Sequence, residues 1–185
     1  GNGIKLDDGR IYNRALAPRE VRYFYNWAPG PVGYWNFDEH SGQTINDTSG
    51  NSFAATLGAN STASTDDPVW TTGKYGGGLN FDGVNDYVNV GNMGTFPSTG
   101  SISFWMNPNV IANYNNVFDT DNNLNAGIRF EEDSTGKFSV VIAYVGSPDI
   151  HTYLASGLVT NVWRHVTLVW NTGSNTVVGY LDGIQ

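Results

Sequence analysis

An all-β fold, an antiparallel β-sandwich with one short helix near the N-terminus, is what three features of this 185-residue sequence predict. Runs of alternating apolar and polar residues recur along most of the chain, separated by Gly, Asn, Asp and Ser clusters that close turns. Charged residues make up only 14%, so polarity rests on Asn, Thr, Ser and Gly, which suit turns and solvated strand faces better than charged helices. Aromatic residues also reach 14%, with six Trp, enough large apolar side chains to fill a core between two sheets.

The first 27 residues read differently from the rest. Lys5–Tyr12 alternates as a strand does. Ala15–Val21 then reads as the entry to a short helix, with Pro18 in the first turn, where its missing N–H leaves no bond unmade. Val21, Phe24 and Tyr25 share one helical face at i, i+3 and i+4. Lys5 and four Arg against Asp7, Asp8 and Glu20 leave this segment at +2, and residues 28–185 at −10. Such opposite charge favours docking of the segment on the body unless it is simply a solvated face. Ala28-Pro29-Gly30-Pro31 stops the helix and makes a short, stiff linker, so residues 28–31 mark a boundary between an N-terminal arm and a body at 32–185.

Within the body, strands are expected at Gly33–Phe37 and Ala54–Leu57, with loops at Asp47–Ser52 and Asn60–Pro68. Leu79–Val90 carries Asp82-Gly83 and Asn85-Asp86 between two alternating runs, which predicts a hairpin over 78–90. Ser101–Asn107 sets Ile102, Phe104 and Met106 on one face and Ser103, Trp105 and Asn107 on the other. Further strands are expected at Asn116–Asp119, Gly127–Glu131 and Lys137–Val145. The chain finishes with Trp163–Trp170, a turn at Asn171–Asn175, and Thr176–Leu181.

Composition excludes several functions. A formal net charge of −8 with three Lys argues against nucleic acid, whose phosphates require clustered Lys and Arg. Cysteine is absent, so neither a disulfide nor thiol chemistry is available. No apolar run approaches the ~20 residues of a membrane-spanning helix. His40, His151 and His165 lie in no metal-binding spacing and have no Cys nucleophile to serve.

Two kinds of site remain. Asp47-Thr48-Ser49-Gly50-Asn51, with the Asp7-Asp8 pair, offers oxygen ligands on a Gly-containing loop of the kind that wraps Ca²⁺. Its alternative is that Asp47 caps a turn and Asp7-Asp8 is solvated. Sugar binding would use aromatic faces with Asn and Asp bonding the hydroxyls, and the candidates are Tyr114, Asn115, Tyr144, His151 and Tyr153. The alternative for these is housing in the core or in cross-strand pairs.

Six motifs taken in order carry a family resemblance. They are Gly33-Tyr34-Trp35-Asn36-Phe37-Asp38-Glu39 with Ser41-Gly42, Asp47–Asn51, Gly73-Lys74-Tyr75-Gly76 through Val90, the strand at 101–108, Trp163-Arg164-His165-Val166, and Tyr180-Leu181-Asp182-Gly183. Together they resemble the laminin-G-like domain of concanavalin A-like β-sandwiches. The resemblance implies a jelly-roll topology and an extracellular or cell-surface binding or adhesion module whose partner is a glycan or cell-surface ligand. It also implies structural calcium near Asp47, Gly50 and Asn51, and a structural place for His165 at the sandwich edge. Some enzymes of this fold use Glu-x-Asp-x-x-Glu on one strand. Glu131-Glu132-Asp133-Ser134-Thr135-Gly136 lacks the last Glu and is expected to run into a solvated turn, so no enzyme is expected.

The family's closing motif is displaced. Leu6–Leu16 resembles it, with Gly9 where a larger apolar residue is usual, yet it precedes the body. The expectation is that this arm completes a neighbouring or permuted unit of a repetitive protein. In the outward arrangement its strand enters the next copy, and chains grow head to tail into a filament or matrix.

Overall fold

A computed structural model describes residues 14–25, 30–94, 97–110, 115–119, 127–132, 138–144, 147–153, 158–171, 173–174 and 176–185, with 22–25 and the residues from 115 to 153 described by their backbone alone. Helix α1 (Pro18–Tyr25) is followed by twelve strands among the described residues. These are β1 (Thr44–Ile45), β2 (Ala55–Leu57), β3 (Val69–Thr72), β4 (Gly77–Asn80), β5 (Val88–Asn89), β6 (Thr99–Met106), β7 (Asn115–Asp119), β8 (Gly127–Glu132), β9 (Phe138–Tyr144), β10 (Ser147–Tyr153), β11 (Arg164–Asn171) and β12 (Thr176–Leu181). They form sheets in the orders β1-β2-β5, β3-β4, β12-β11-β6 and β10-β9-β8-β7. Every pairing is antiparallel, and the architecture is the expected β-sandwich.

Helix α1 begins as expected at Pro18. Glu20, three residues past Ala17, reaches back to accept the Ala17 N–H at 2.7 Å, which is half of a capping box. The Arg14 guanidinium holds both Glu20 oxygens at 2.9 and 2.7 Å. This pairing first, and the Ala17 N–H second, lower the Glu20 carboxyl to about 2.

One part of the core lies under β1-β2-β5. Ile45, Ala55 and Leu57 are buried, and Trp35, Phe37, Trp70, Leu79, Val88 and Val90 pack against them. Trp70 and Leu79 are cross-strand partners on β3 and β4, so this hairpin lies over the first sheet. The second part lies under β11, whose Val166, Leu168 and Trp170 alternate as buried positions. Each fully buried aliphatic here contributes about 1.5–3 kcal/mol. Three indoles that carry a polar N–H into these layers satisfy it on main-chain carbonyls: Trp35 on Phe53 at 2.8 Å, Trp70 on Gly42 at 2.9 Å and Trp170 on Pro97 at 3.0 Å.

The 78–90 hairpin is a correction. Its two runs do not pair with each other: β4 pairs with β3, and β5 pairs with β2. Asp82 instead folds the connection locally, accepting the Val84 N–H at 2.8 Å, while Asp86 accepts the Asp82 N–H at 2.7 Å. These carboxylates cap the loop and leave Leu79 and Val88 on different ladders. Gly33–Phe37 joins no ladder either. Tyr34 O accepts the Thr48 N–H at 2.8 Å, and the segment is held by side chains. Strands β1, β3 and β10 lie outside the expected strands. The expected arm strand at 5–12 lies outside the described residues.

Candidate functional site

The turn between β3 and β4 is Gly73-Lys74-Tyr75-Gly76, closed by the Gly73 N–H on Gly76 O at 3.0 Å. Its shape is set by Gly76, whose φ is +64° and where a Cβ would lie 2.2 Å from an Asp38 carboxylate oxygen. That same oxygen accepts the Gly77 N–H at 2.7 Å. A side chain at Gly76 would therefore be strained and would displace the carboxylate that anchors the turn. The rigid turn presents Lys74 and Tyr75 outward.

Strand β6 brings the other half. Its residues alternate between exposed and half-buried, with Ile102, Phe104 and Met106 on the inner face as expected and Trp105 on the outer one. Trp105 is paired in register with His165 on β11. The Trp105 and His165 rings are 5.1 Å apart, and the Tyr75 ring meets Trp105 edge-on at 5.6 Å. Lys74 Nζ lies 5.3 Å from the Trp105 centroid and 5.9 Å from that of Tyr75, within cation–π reach of both. Tyr75 is 71% exposed and Trp105 39%, so this ring cluster stands open to solvent.

The base of the cluster is pinned by Asp182. Its carboxylate accepts the His165 N–H at 2.9 Å and Arg164 Nη1 at 2.6 Å, and its own N–H donates to His165 O at 2.8 Å. The His165 N–H first, and Arg164 second, hold the Asp182 carboxyl below the usual range against the opposing effect of burial. Asp182-Gly183 forms a tight turn with φ of 52° and 79°, both positive as a type I′ hairpin requires. It returns the chain through the Leu181–Ile184 bridge. His165 is the second residue of β11, the middle strand of the β12-β11-β6 sheet, and its ring forms part of an exposed aromatic surface with Trp105.

The residues expected to bind a ligand are divided. Tyr114 lies outside the described residues. His151 pairs with Val141, which pairs with Arg129, which pairs with Asp119. Tyr153, Ser139, Glu131 and Asn116 form the neighbouring row of the same parity. Asn115 opposite Glu132, and Tyr144, occupy alternate rows of that sheet. Glu131 and Glu132 are the last two residues of β8, and the rest of the expected solvated turn lies outside the described residues.

The Asp47 loop turns on one carboxylate. Oδ1 accepts the N–H groups of Tyr34 at 2.9 Å and Ser49 at 2.8 Å. Oδ2 accepts the Ser49 hydroxyl at 2.8 Å and the Phe53 N–H at 2.9 Å. Burial pushes this carboxyl up, but the Tyr34, Phe53 and Ser49 donors outweigh it and hold Asp47 far below the ordinary range. Asn51 turns its amide Nδ2 toward Val32 O at 3.0 Å, and Gly50 takes a φ of 92°. This loop does not fit the calcium expectation, because protein donors already fill the Asp47 acceptor positions and Asn51 presents a donor. Asp7 and Asp8 lie outside the described residues. Among the described residues, no group of three or more His, Cys, Asp or Glu is placed to hold a metal ion.

Sequence reasoning missed the Lys74–Tyr75–Trp105 cluster. Both parts carried signals, the Gly73–Gly76 motif and the solvent-side Trp105, but nothing in the sequence says that the turn meets the strand. No helix among the described residues is long and apolar enough to cross a membrane.

No curated protein matches the chain. A solved structure of an S-layer domain-containing protein (residues 221–444) from Clostridium thermocellum is similar, with a TM-score of 0.51 and 25% identity, covering 80% of this chain and 67% of that one. A laminin-G family profile described as the Concanavalin A-like lectin/glucanases superfamily matches residues 81–185. On that match and the antiparallel sandwich, the chain belongs to the laminin-G-like domains of the concanavalin A-like lectin/glucanase superfamily.

Proposed function

We propose that this domain is a non-catalytic, carbohydrate-binding module of an extracellular or cell-surface protein, and that it binds saccharides on the Tyr75–Trp105–His165 surface. The observation that carries this reading is a contiguous set of rings, led by a 71% exposed Tyr75 and a 39% exposed Trp105, on a rigid strand and a closed turn. Exposed contiguous apolar surface on a folded domain is a mark of a binding site. Flat aromatic faces suit the apolar faces of pyranose rings. The surface location draws on the likeness to the S-layer domain-containing protein.

A glycan array tests the proposal. Retention of a defined set of glycans is expected, with loss of about tenfold or more in affinity for Trp105→Ala and a smaller loss for Tyr75→Ala. An array that retains nothing, or binding indifferent to both substitutions, overturns it. Glu131→Gln is expected to leave no difference in any polysaccharide-cleavage assay, and turnover that disappears in this variant would make the domain an enzyme.

A second reading, a structural subunit in which contacts between copies are the function, is favoured by the same S-layer likeness. It requires a mass that rises with protein concentration in light scattering.

A further inference from the structure

We propose that the saccharide taken by this surface is acidic, a pyranose bearing a carboxylate, and that Lys74 is the residue that selects it. This rests on the carbohydrate-binding reading above and goes further by assigning the charge of the ligand.

Lys74 is the one lysine among the described residues. Among those residues its ammonium has no hydrogen bond and no ion pair, and its contacts are with the Tyr75 and Trp105 rings. The carboxylates at this corner are committed elsewhere. Asp38 accepts the Gly77 N–H and the Asn36 amide at 2.7 and 2.9 Å, and Asp182 is held by Arg164 and the His165 N–H. An uncompensated ammonium is therefore fixed at the edge of the ring surface on a chain whose formal charge is −8.

Screening decides whether that local charge is felt. At physiological salt the Debye length is about 8 Å, so distant carboxylates are largely screened, whereas a group stacked on Trp105 lies within one such length of Lys74 Nζ at 5.3 Å. A neutral sugar stacked there would use the rings and leave the ammonium to water. A uronic acid stacked on the same rings would bring an anion to a cation already held in place. Only at lower salt, where the Debye length grows, would the rest of the negative surface repel the same ligand, so binding should depend on contact at this corner rather than on steering. A purely structural Lys74, latching the turn to β6 by cation–π contact, predicts a change in melting temperature on substitution and no change in ligand preference.

The test uses the full chain and matched polymers: polygalacturonate, the same polymer with its carboxylates reduced to alcohols, and a sulfated galactan. Wild type is expected to bind polygalacturonate about tenfold more tightly than the reduced polymer at physiological salt, with the preference shrinking near 1 M salt, where the Debye length of about 3 Å screens the Lys74 contact itself. Lys74→Gln should abolish the preference while keeping the weaker binding to the reduced polymer, and Lys74→Arg should retain most of it. Equal affinity for the carboxylated and reduced polymers, or a preference that survives Lys74→Gln, overturns the acidic-ligand inference and leaves the carbohydrate reading standing. Tighter binding of the sulfated galactan than of polygalacturonate overturns the carboxylate assignment. Binding to none of the three overturns both.

Discussion

Asp47 shows how one side chain can hold a segment that has no ladder of its own. The stretch Gly33–Phe37 makes no strand pairing, yet Trp35 and Phe37 must pack on Ile45, Ala55 and Leu57. Asp47 ties it by taking the Tyr34 N–H on one oxygen and the Phe53 N–H on the other. Because these donors favour the ionised form, its folded pKa lies below the unfolded value of about 3.9. A depressed carboxyl contributes stability that is present above the unfolded pKa and lost as pH falls toward the folded one. The wild-type melting temperature should therefore fall as pH drops below about 4, and Asp47→Asn should lower it at pH 7 and flatten that acid dependence. The loss should be the same with and without chelator. A wild-type melting temperature that drops on chelation and recovers with calcium would place a cation on this loop. The residues alone favour capping and the family resemblance favours calcium, since both use an Asp before Ser and Gly. Only the positions of Tyr34 and Phe53 separate them.

Elements were legible where a pattern was complete within one segment. Strand β6 and its inner face, the β11–β12 hairpin and the start of α1 all follow from local alternation, turn residues and Pro18. Strand β3 escaped because its exposures do not alternate cleanly, with Val69, Thr71 and Thr72 all outward around a half-buried Trp70. The 78–90 hairpin failed for a different reason. Asp-Gly signals a turn, but not which strands it joins, and here the turn links two ladders. Packing between elements is likewise invisible in sequence, as Gly100 illustrates. It sits opposite Trp170 in the β6–β11 register, and a Cβ there would lie 2.3 Å from the indole ring. The indole cannot retreat without breaking its bond to Pro97 O. Gly100→Ala should thus destabilise the domain by about 1–3 kcal/mol, with a changed Trp fluorescence on folding. Unchanged denaturant midpoint and emission would mean that the ring moves freely and the fit is loose.

At the scale of the whole molecule, the sequence predicted a sandwich and the likeness to one family, and both stand. Strand β12 pairs with β11 along Val166–Asn171, and among the described residues its other edge is met only at Leu181, by Ile184, and is open along the rest. An open edge presents unpaired N–H and C=O groups that can take an added strand. The arm at 1–27 supplies an alternating stretch and a net charge of +2 against −10 for residues 28–185. Two terms would then act together if the arm joins copies: main-chain pairing, which tolerates salt, and opposite charge, which salt screens within about 8 Å at physiological strength. The head-to-tail arrangement accordingly predicts that full-length protein gains mass with concentration, and does so less at high salt. Residues 28–185 alone should stay monomeric, melt earlier, and bind added peptide 1–27. If the shortened chain matches the full one in mass and melting temperature and ignores the peptide, the arm plays no part in assembly. The Trp105 surface would then be the place to look for its partners.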